Sequence, residues 1–315
     1  MRRVELLIAD SRRATENIDY SDTAGIQDSE FIRYLNDAQD RVFTAILSTH
    51  PDVFLYEKEV TVTNGVEQMD IPTDAYMKAK LKQVDYSPTG AARDYYELAK
   101  GSLKERLNTY PNEPSFYIRR NDKILIQPPP PTSSGKIRFS YFRALPKLNN
   151  RVGQIDSVTL NTGTSEITAI TIDITSITTD NITLIESLGY MTLVNKDGVI
   201  QMKGIPVSNI DSTTGIVTLD GAFTYESGET AAAENWVVPG EYHTSHSMLD
   251  DSCERYLLAH CDWKILKRDS SNDSVEQGRE LDAMLTEIVT AYKDIDEDVD
   301  YVPIIDTSFL ISSGG

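Results

Sequence analysis

Two cysteines, four histidines and two tryptophans in 315 residues leave little for redox, metal or nucleophilic chemistry to use. Cys253 and Cys261 stand eight apart in a helical stretch, which separates them by about 12 Å of helix rise. A disulfide needs Cα atoms within about 7 Å. The pair is therefore read as unbridged, as in a chain assembled in a reducing compartment. Basic residues are also scarce: 30 Lys and Arg stand against 49 Asp and Glu, a formal charge of -19. That balance argues against a protein that wraps nucleic acid, because phosphates need clustered cations. It suits a highly soluble protein, or one lining a path along which DNA must slide. No apolar run approaches the roughly 20 residues of a membrane span. Near the start, the apolar stretch is broken by Glu5 and Asp10. This predicts an amphipathic first helix, not a secretory signal.

Known chemical constellations are missing too. His243, His246, Cys253, His260 and Cys261 share one region. Only the first pair has a spacing that structural zinc uses. His260 and Cys261 are adjacent, so they point about 100° apart on a helix. The cysteines read as small core residues. The run Asp294, Asp296, Glu297, Asp298, Asp300 begins like a calcium loop, but the sixth position is Val299 and the twelfth Ile305, where Gly and Glu are needed. It reads as a solvated helix end facing water or a basic partner. Pro128 to Pro131 read as a stiff connector between strands. Gly135-Lys136 lacks the upstream Gly and the following Ser or Thr of a phosphate loop. There is no Gly-x-Ser-x-Gly and no His-Glu-x-x-His. The expectation is a non-enzyme with no cofactor and no metal.

What is present is ordinary globular composition, 40% hydrophobic and 25% charged, with room for about two domains. A short helix is predicted from Glu5 to about Ile18. A longer one is predicted over 28–49, because Phe31, Leu35, Ala38, Val42 and Ala45 recur at helical spacing and Pro51 follows. Glu57 to Thr63 and Met69-Asp-Ile71-Pro72 read as a hairpin across Gly65, and Leu81 to Tyr86 as a strand. Tyr95 to Leu107 reads as a short helix. Pro111 to Leu148 then carries strands near 115–119, 123–127 and 136–143 between proline punctuation. It looks like a joint, with no catalytic residue inside it.

Residues 151–238 change character. Only Arg151, Lys196 and Lys203 are basic, and Thr, Ile, Asp and Gly take over. Tyr190 to Val194 pairs with Val199 to Met202 across Asp197-Gly198, a tight-hairpin dipeptide. Ile205 to Ile210 pairs with Ile216 to Leu219 across a polar turn. Short strands at this spacing predict a small β sandwich or barrel. Helix returns near Thr244, with Cys253, Leu257, Cys261 and Ile265 on one face. Leu281, Leu285, Ile288, Tyr292 and Ile295 mark a last helix face. The expected fold class is α+β: a bundle of N- and C-terminal helices with a small antiparallel β core, plus an inserted all-β, sandwich- or barrel-like module. The expected domains are 1–150 with 239–300, an inserted 151–238 module, and an extended tail, 301–315.

The main-domain pattern resembles the head-to-tail adaptor (connector) proteins of tailed bacteriophages. The resemblance rests on the 28–49 helix running into a strand pair, and on Met69-Asp-Ile71-Pro72 where the family has an Ile/Tyr-x-Leu-Pro run. Pro114 and Tyr117 then stand as in a Pro-x-x-Tyr element. Ile124-Leu-Ile-Gln-Pro128-Pro and Ile137-Arg-Phe-Ser-Tyr141-Phe-Arg with Leu145 follow, and a C-terminal helix pair completes it. It covers roughly 1–148 and 239–300, and the 151–238 module departs from the simplest adaptors. The resemblance implies a homo-oligomeric ring, commonly of twelve subunits, between portal protein and a downstream tail or nozzle protein. It implies a virion location at the head–tail junction after assembly in the bacterial cytoplasm, with DNA passing through unbound and no membrane involved. It also implies docking to the portal by an extended C-terminal segment, here Tyr301, Val302, Pro303, Ile304, Ile305, Phe309 and Leu310. The alternative is a virion binding protein using the 151–238 module to hold a tail fibre or a carbohydrate, for which Tyr190, Phe223, Tyr225 and Trp236 are the available aromatics.

Overall fold

A computed structural model describes residues 2–14, 26–76, 81–102, 104, 113–161, 166–223, 225, 229–268 and 274–298. The chain divides into two compact units, residues 1–45 with 146–315 and residues 46–145. The first unit opens with two helices, α1 (Val4–Ala14) and α2 (Asp28–Thr49), whose final residues belong to the second unit. Val4, Leu7 and Ile8 bury one face of α1. On α2, Phe31, Leu35, Ala38 and Val42 are buried at the predicted spacing. Burying such side chains stabilises by about 1.5–3 kcal/mol for each large one. Asp28 and Glu30 in the first turn suit the helix dipole. Arg12 fastens α1 to the start of α2: its guanidinium donates to the Ile26 carbonyl, pairs with Asp28 at 2.6 Å, and lies 4.9 Å over the Phe31 ring.

Among its described residues the second unit holds two four-stranded sheets. One has the order β1 (Leu55–Thr61), β8 (Lys136–Phe142), β3 (Leu81–Ser87), β4 (Tyr96–Glu97). The other has the order β2 (Gln68–Asp70), β7 (Lys123–Gln127), β6 (Phe116–Arg120), β5 (Ala99–Lys100). Val84, Tyr86, Ile124, Ile126, Ile137, Phe139 and Tyr141 form their shared core. The buried Tyr141 hydroxyl donates to Asp74 at 2.8 Å, and Arg143 pairs with the same carboxylate.

Two predicted elements of this unit are corrected. The 57–72 hairpin does not form, although the chain does turn at Gly65, where φ is 72°. All seven residues of β1 pair with β8, and the three of β2 pair with β7. The segment between β7 and β8 bonds here instead: Val62 donates to the Gly135 carbonyl and Gly65 to that of Pro130. The 95–107 helix is replaced, over its described residues, by β4 and β5. Leu98 is buried between exposed Glu97 and Ala99, an alternation of period two, and its N–H bonds to Val84 of β3. Residues 103 and 105–107 lie outside the described residues.

The first unit resumes with β9 (Lys147–Leu148) and a closed barrel. Its strands are β10 (Gly153–Asn161), β11 (Glu166–Ile172), β12 (Tyr190–Val194), β13 (Ile200–Ile210), β14 (Ile216–Leu219) and β15 (Trp236–Pro239), in the order β10-β11-β14-β13-β12-β15. Both predicted strand pairs are present, joined by β13, which is one strand serving both. The prediction of an all-β module is corrected by α3 (Thr179–Leu188), between β11 and β12. Thr178 caps it by accepting from the Asn181 N–H, and Gly189 ends it in the left-handed conformation. Ile182 and Ile185 enter the barrel core.

After the barrel, β16 (His243–Thr244) pairs in parallel with β9. Helix returns later than Thr244, with a 3-10 turn over Asp251–Cys253 that leads into α4 (Glu254–Arg268). Asp250 accepts from the Ser252 N–H and so sets that start. Cys253, Leu257, Cys261 and Ile265 are all buried, and both thiols are free. The last helix is α5 (Ser274–Asp298), with Leu281 and Ile288 buried and Leu285 and Tyr292 half-buried. Over its described residues the chain is therefore a mixed α+β protein with five helices and a six-stranded barrel.

Candidate interaction surfaces

The histidines and cysteines that sequence reasoning singled out for chemistry are buried or half-buried. Burial raises the thiols of both Cys253 and Cys261 away from the reactive thiolate. His260 stacks on Tyr256, and burial first, then the positive charges of Arg41 and Lys264, pushes it down to about 4. His243 also falls to about 4, through burial and then Lys147. Among the described residues, no three His, Cys, Asp or Glu side chains are grouped to hold a metal ion. The acidic run from Asp294 begins inside α5 instead of in a loop. Val299, Asp300 and Ile305 lie outside the described residues. Among the described residues, no helix is long and apolar enough to cross a membrane.

One polar cluster was not anticipated. Before β10, Arg151 donates to the Lys196 carbonyl at 2.6 Å and to the Ser245 hydroxyl at 3.0 Å. Its guanidinium lies 5.0 Å over the Trp236 ring and 3.5 Å from Nδ1 of His246. The backbone of His246 forms an isolated antiparallel β-bridge with that of Arg3, and the Val4 N–H bonds to the Ser245 carbonyl. The turn at Gly198 closes the cluster, with Thr244 donating to its carbonyl at 2.7 Å. Burial first, then Arg151 and Arg3, depresses His246 to about 4. The arrangement ties the chain start, the β12–β13 turn and the segment after β16 into one knot. Its members are far apart in sequence, so no local pattern announces it.

The barrel's outer surface differs from that knot. Phe223 and Tyr225 pack against the barrel core, and Trp236 lies under Arg151. Of the four aromatics considered for carbohydrate stacking, Tyr190 alone is exposed. Leu184 and Leu188 are exposed on the solvent side of α3. Their four-residue spacing places them one above the other; sequence reading passed over them because α3 itself was missed.

Charge on the helices is paired locally. Arg2 bonds Asp10 and Glu254, Arg268 meets Glu30 at 3.1 Å, and Lys264 meets Asp37 at 3.3 Å. The two exposed pairs, Arg268–Glu30 and Lys264–Asp37, each contribute about 0–1 kcal/mol, so they orient the helices more than they stabilise them. The predicted docking residues Tyr301, Val302, Pro303, Ile304, Ile305, Phe309 and Leu310 lie outside the described residues.

A family model described as SU10 adaptor protein matches residues 1–161. The matched stretch takes in α1, α2, both sheets of the second unit and β10. No curated protein matches the chain.

Proposed function

The chain belongs to the SU10 adaptor protein family, a phage head–tail adaptor family, and on that premise we propose that it forms a ring joining the portal of the phage head to the tail. The observation that carries this reading is the family match over residues 1–161. The family is one of structural virion proteins, and the ring is read as a mechanical part without enzymatic activity. Twelve subunits are the number the family resemblance supplies. Residues 1–150 and 239–300 would form the adaptor domain, with 151–238 as an inserted module. The portal protein would bind one side and a tail or nozzle protein the other.

The charge of -19 supports a channel role. A passage that lets DNA slide must avoid clustered Lys and Arg, which would hold phosphates. The tail supports docking: Val302, Ile304, Ile305, Phe309 and Leu310 are apolar residues whose ordering in a portal groove would be offset by burial there. Electron microscopy of the purified chain, alone and with portal protein, tests the ring. Closed rings seated on the portal are expected, whereas a monodisperse monomer that ignores the portal would overturn the reading. Deleting 301–315 should abolish portal attachment while leaving the circular-dichroism spectrum and melting temperature unchanged. Undiminished attachment would remove the tail from the docking role.

A further inference from the structure

Five of the nine exposed large apolar side chains among the described residues belong to the barrel: Ile174, Leu184, Leu188, Tyr190 and Ile216. They gather at one end of it, where β11 finishes and β12 and β14 begin. Scattered singly, such residues would need no explanation. Here α3 turns its Leu184–Leu188 pair to water while Ile182 and Ile185 are held in the core. Tyr190 follows directly after Gly189. Glu186 joins helix to barrel by accepting from the Ile210 N–H at 2.8 Å. A methyl group at Gly215 would sit 3.1 Å from Ile174, so Ile174 lies against the start of β14, beside Ile216.

The charge on α3 and on the loops at this end has one sign. No Lys or Arg occurs between Arg151 and Lys196, or between Lys203 and Arg255. Asp173, Asp180, Glu186 and Asp211 stand in or beside the same loops and helix. Thr175 holds the Asp173 carboxyl below the usual range by hydrogen bonding, and the backbone of Thr213 does the same for Asp211. An apolar face flanked by these acids disfavours nucleic acid and anionic lipid, and it disfavours the same face of a second copy.

We infer that the α3 end of the barrel is a docking surface for another protein, one presenting an apolar ridge flanked by Lys or Arg. The inference stands on the barrel surface and does not depend on the ring. The test uses the full chain and two amphipathic helical peptides, one of Leu and Lys and one of Leu and Glu, with binding read by fluorescence anisotropy. The Leu/Lys peptide should bind at least ten-fold more tightly than the Leu/Glu peptide, and less tightly as salt rises. Leu184→Asp with Leu188→Asp should remove at least ten-fold of that affinity, while Val275→Asp, at an exposed apolar site on α5, should not. Asp180→Lys keeps the apolar pair intact and should weaken the Leu/Lys peptide several-fold, which preserves the test if the double variant misfolds. Equal binding of the two peptides overturns the proposal, as does an equal loss in Val275→Asp. So does self-association of the free chain that the double variant abolishes, because the occupant would then be a second copy.

Discussion

Gly198 carries two requirements at once. Its φ of 82° lies in the left-handed region, and a Cβ there would overlap the His246 ring. The first requirement was legible, since Asp197-Gly198 between apolar runs reads as a tight turn. The second was not, because His246 arrives from a distant part of the chain. Gly198→Ala should lower unfolding free energy by about 2–4 kcal/mol, combining left-handed strain with overpacking. His246→Ala in the same chain should return the overpacking part, so the two changes should be clearly non-additive in a urea-denaturation cycle. Additive losses would mean that the ring is not what fills the space. The same logic explains the cysteines: Cys253 and Cys261 were readable as core residues because the Leu257 and Ile265 repeat places them on the buried face.

At the scale of elements, long periodic segments were legible and short ones depended on partners. The α2 face repeats over four turns, and both ends of the helix fall where the pattern and Pro51 put them. β2 is only three residues long, and nothing in Gln68–Asp70 says that its neighbour is β7 instead of β1. Such pairings are set by tertiary competition, here by the segment between β7 and β8 bonding Val62 and Gly65. α3 had its signals, a Thr cap, a following Gly and apolar spacing, but they sat inside a run of strand-forming Thr and Ile that reads more easily as sheet. Another long-range joint is Asn36 on α2. Its amide donates to the Leu148 carbonyl at 3.0 Å and accepts from the Leu148 N–H at 2.8 Å, pairing both backbone groups as a strand would. Asn36→Ala leaves both groups of Leu148 without that partner and should cost about 1–3 kcal/mol by urea denaturation. Asn36→Asp keeps the acceptor but loses the donor, so its cost should be intermediate.

For the whole molecule, acidification sets two effects against each other. The charge of -19 makes the chain self-repelling at neutral pH, and adding protons relieves that repulsion. Burial lifts the carboxyls of Asp40 and Asp262, which acts in the same stabilising direction as pH falls. His243, His246 and His260 act the other way. Each is held neutral in the fold with its pKa pushed down to about 4, against an ordinary value of about 6.5. Above the ordinary value both folded and unfolded chains keep these rings neutral, and their contribution is fully present. As pH falls from about 6.5 towards 4, the unfolded chain takes up protons that the fold refuses, and that contribution is lost. Three depressed rings in one unit should outweigh relief of a charge that is dispersed over the surface and screened by salt. The urea midpoint should therefore fall between pH 7 and pH 5 in 0.15 M salt. Replacing His260 with Phe, which keeps a ring against Tyr256, should flatten the slope, because one proton fewer is then taken up on unfolding. A midpoint that rises over this interval, or a slope unchanged by His260→Phe, would show that net charge rather than the buried histidines governs the acid response.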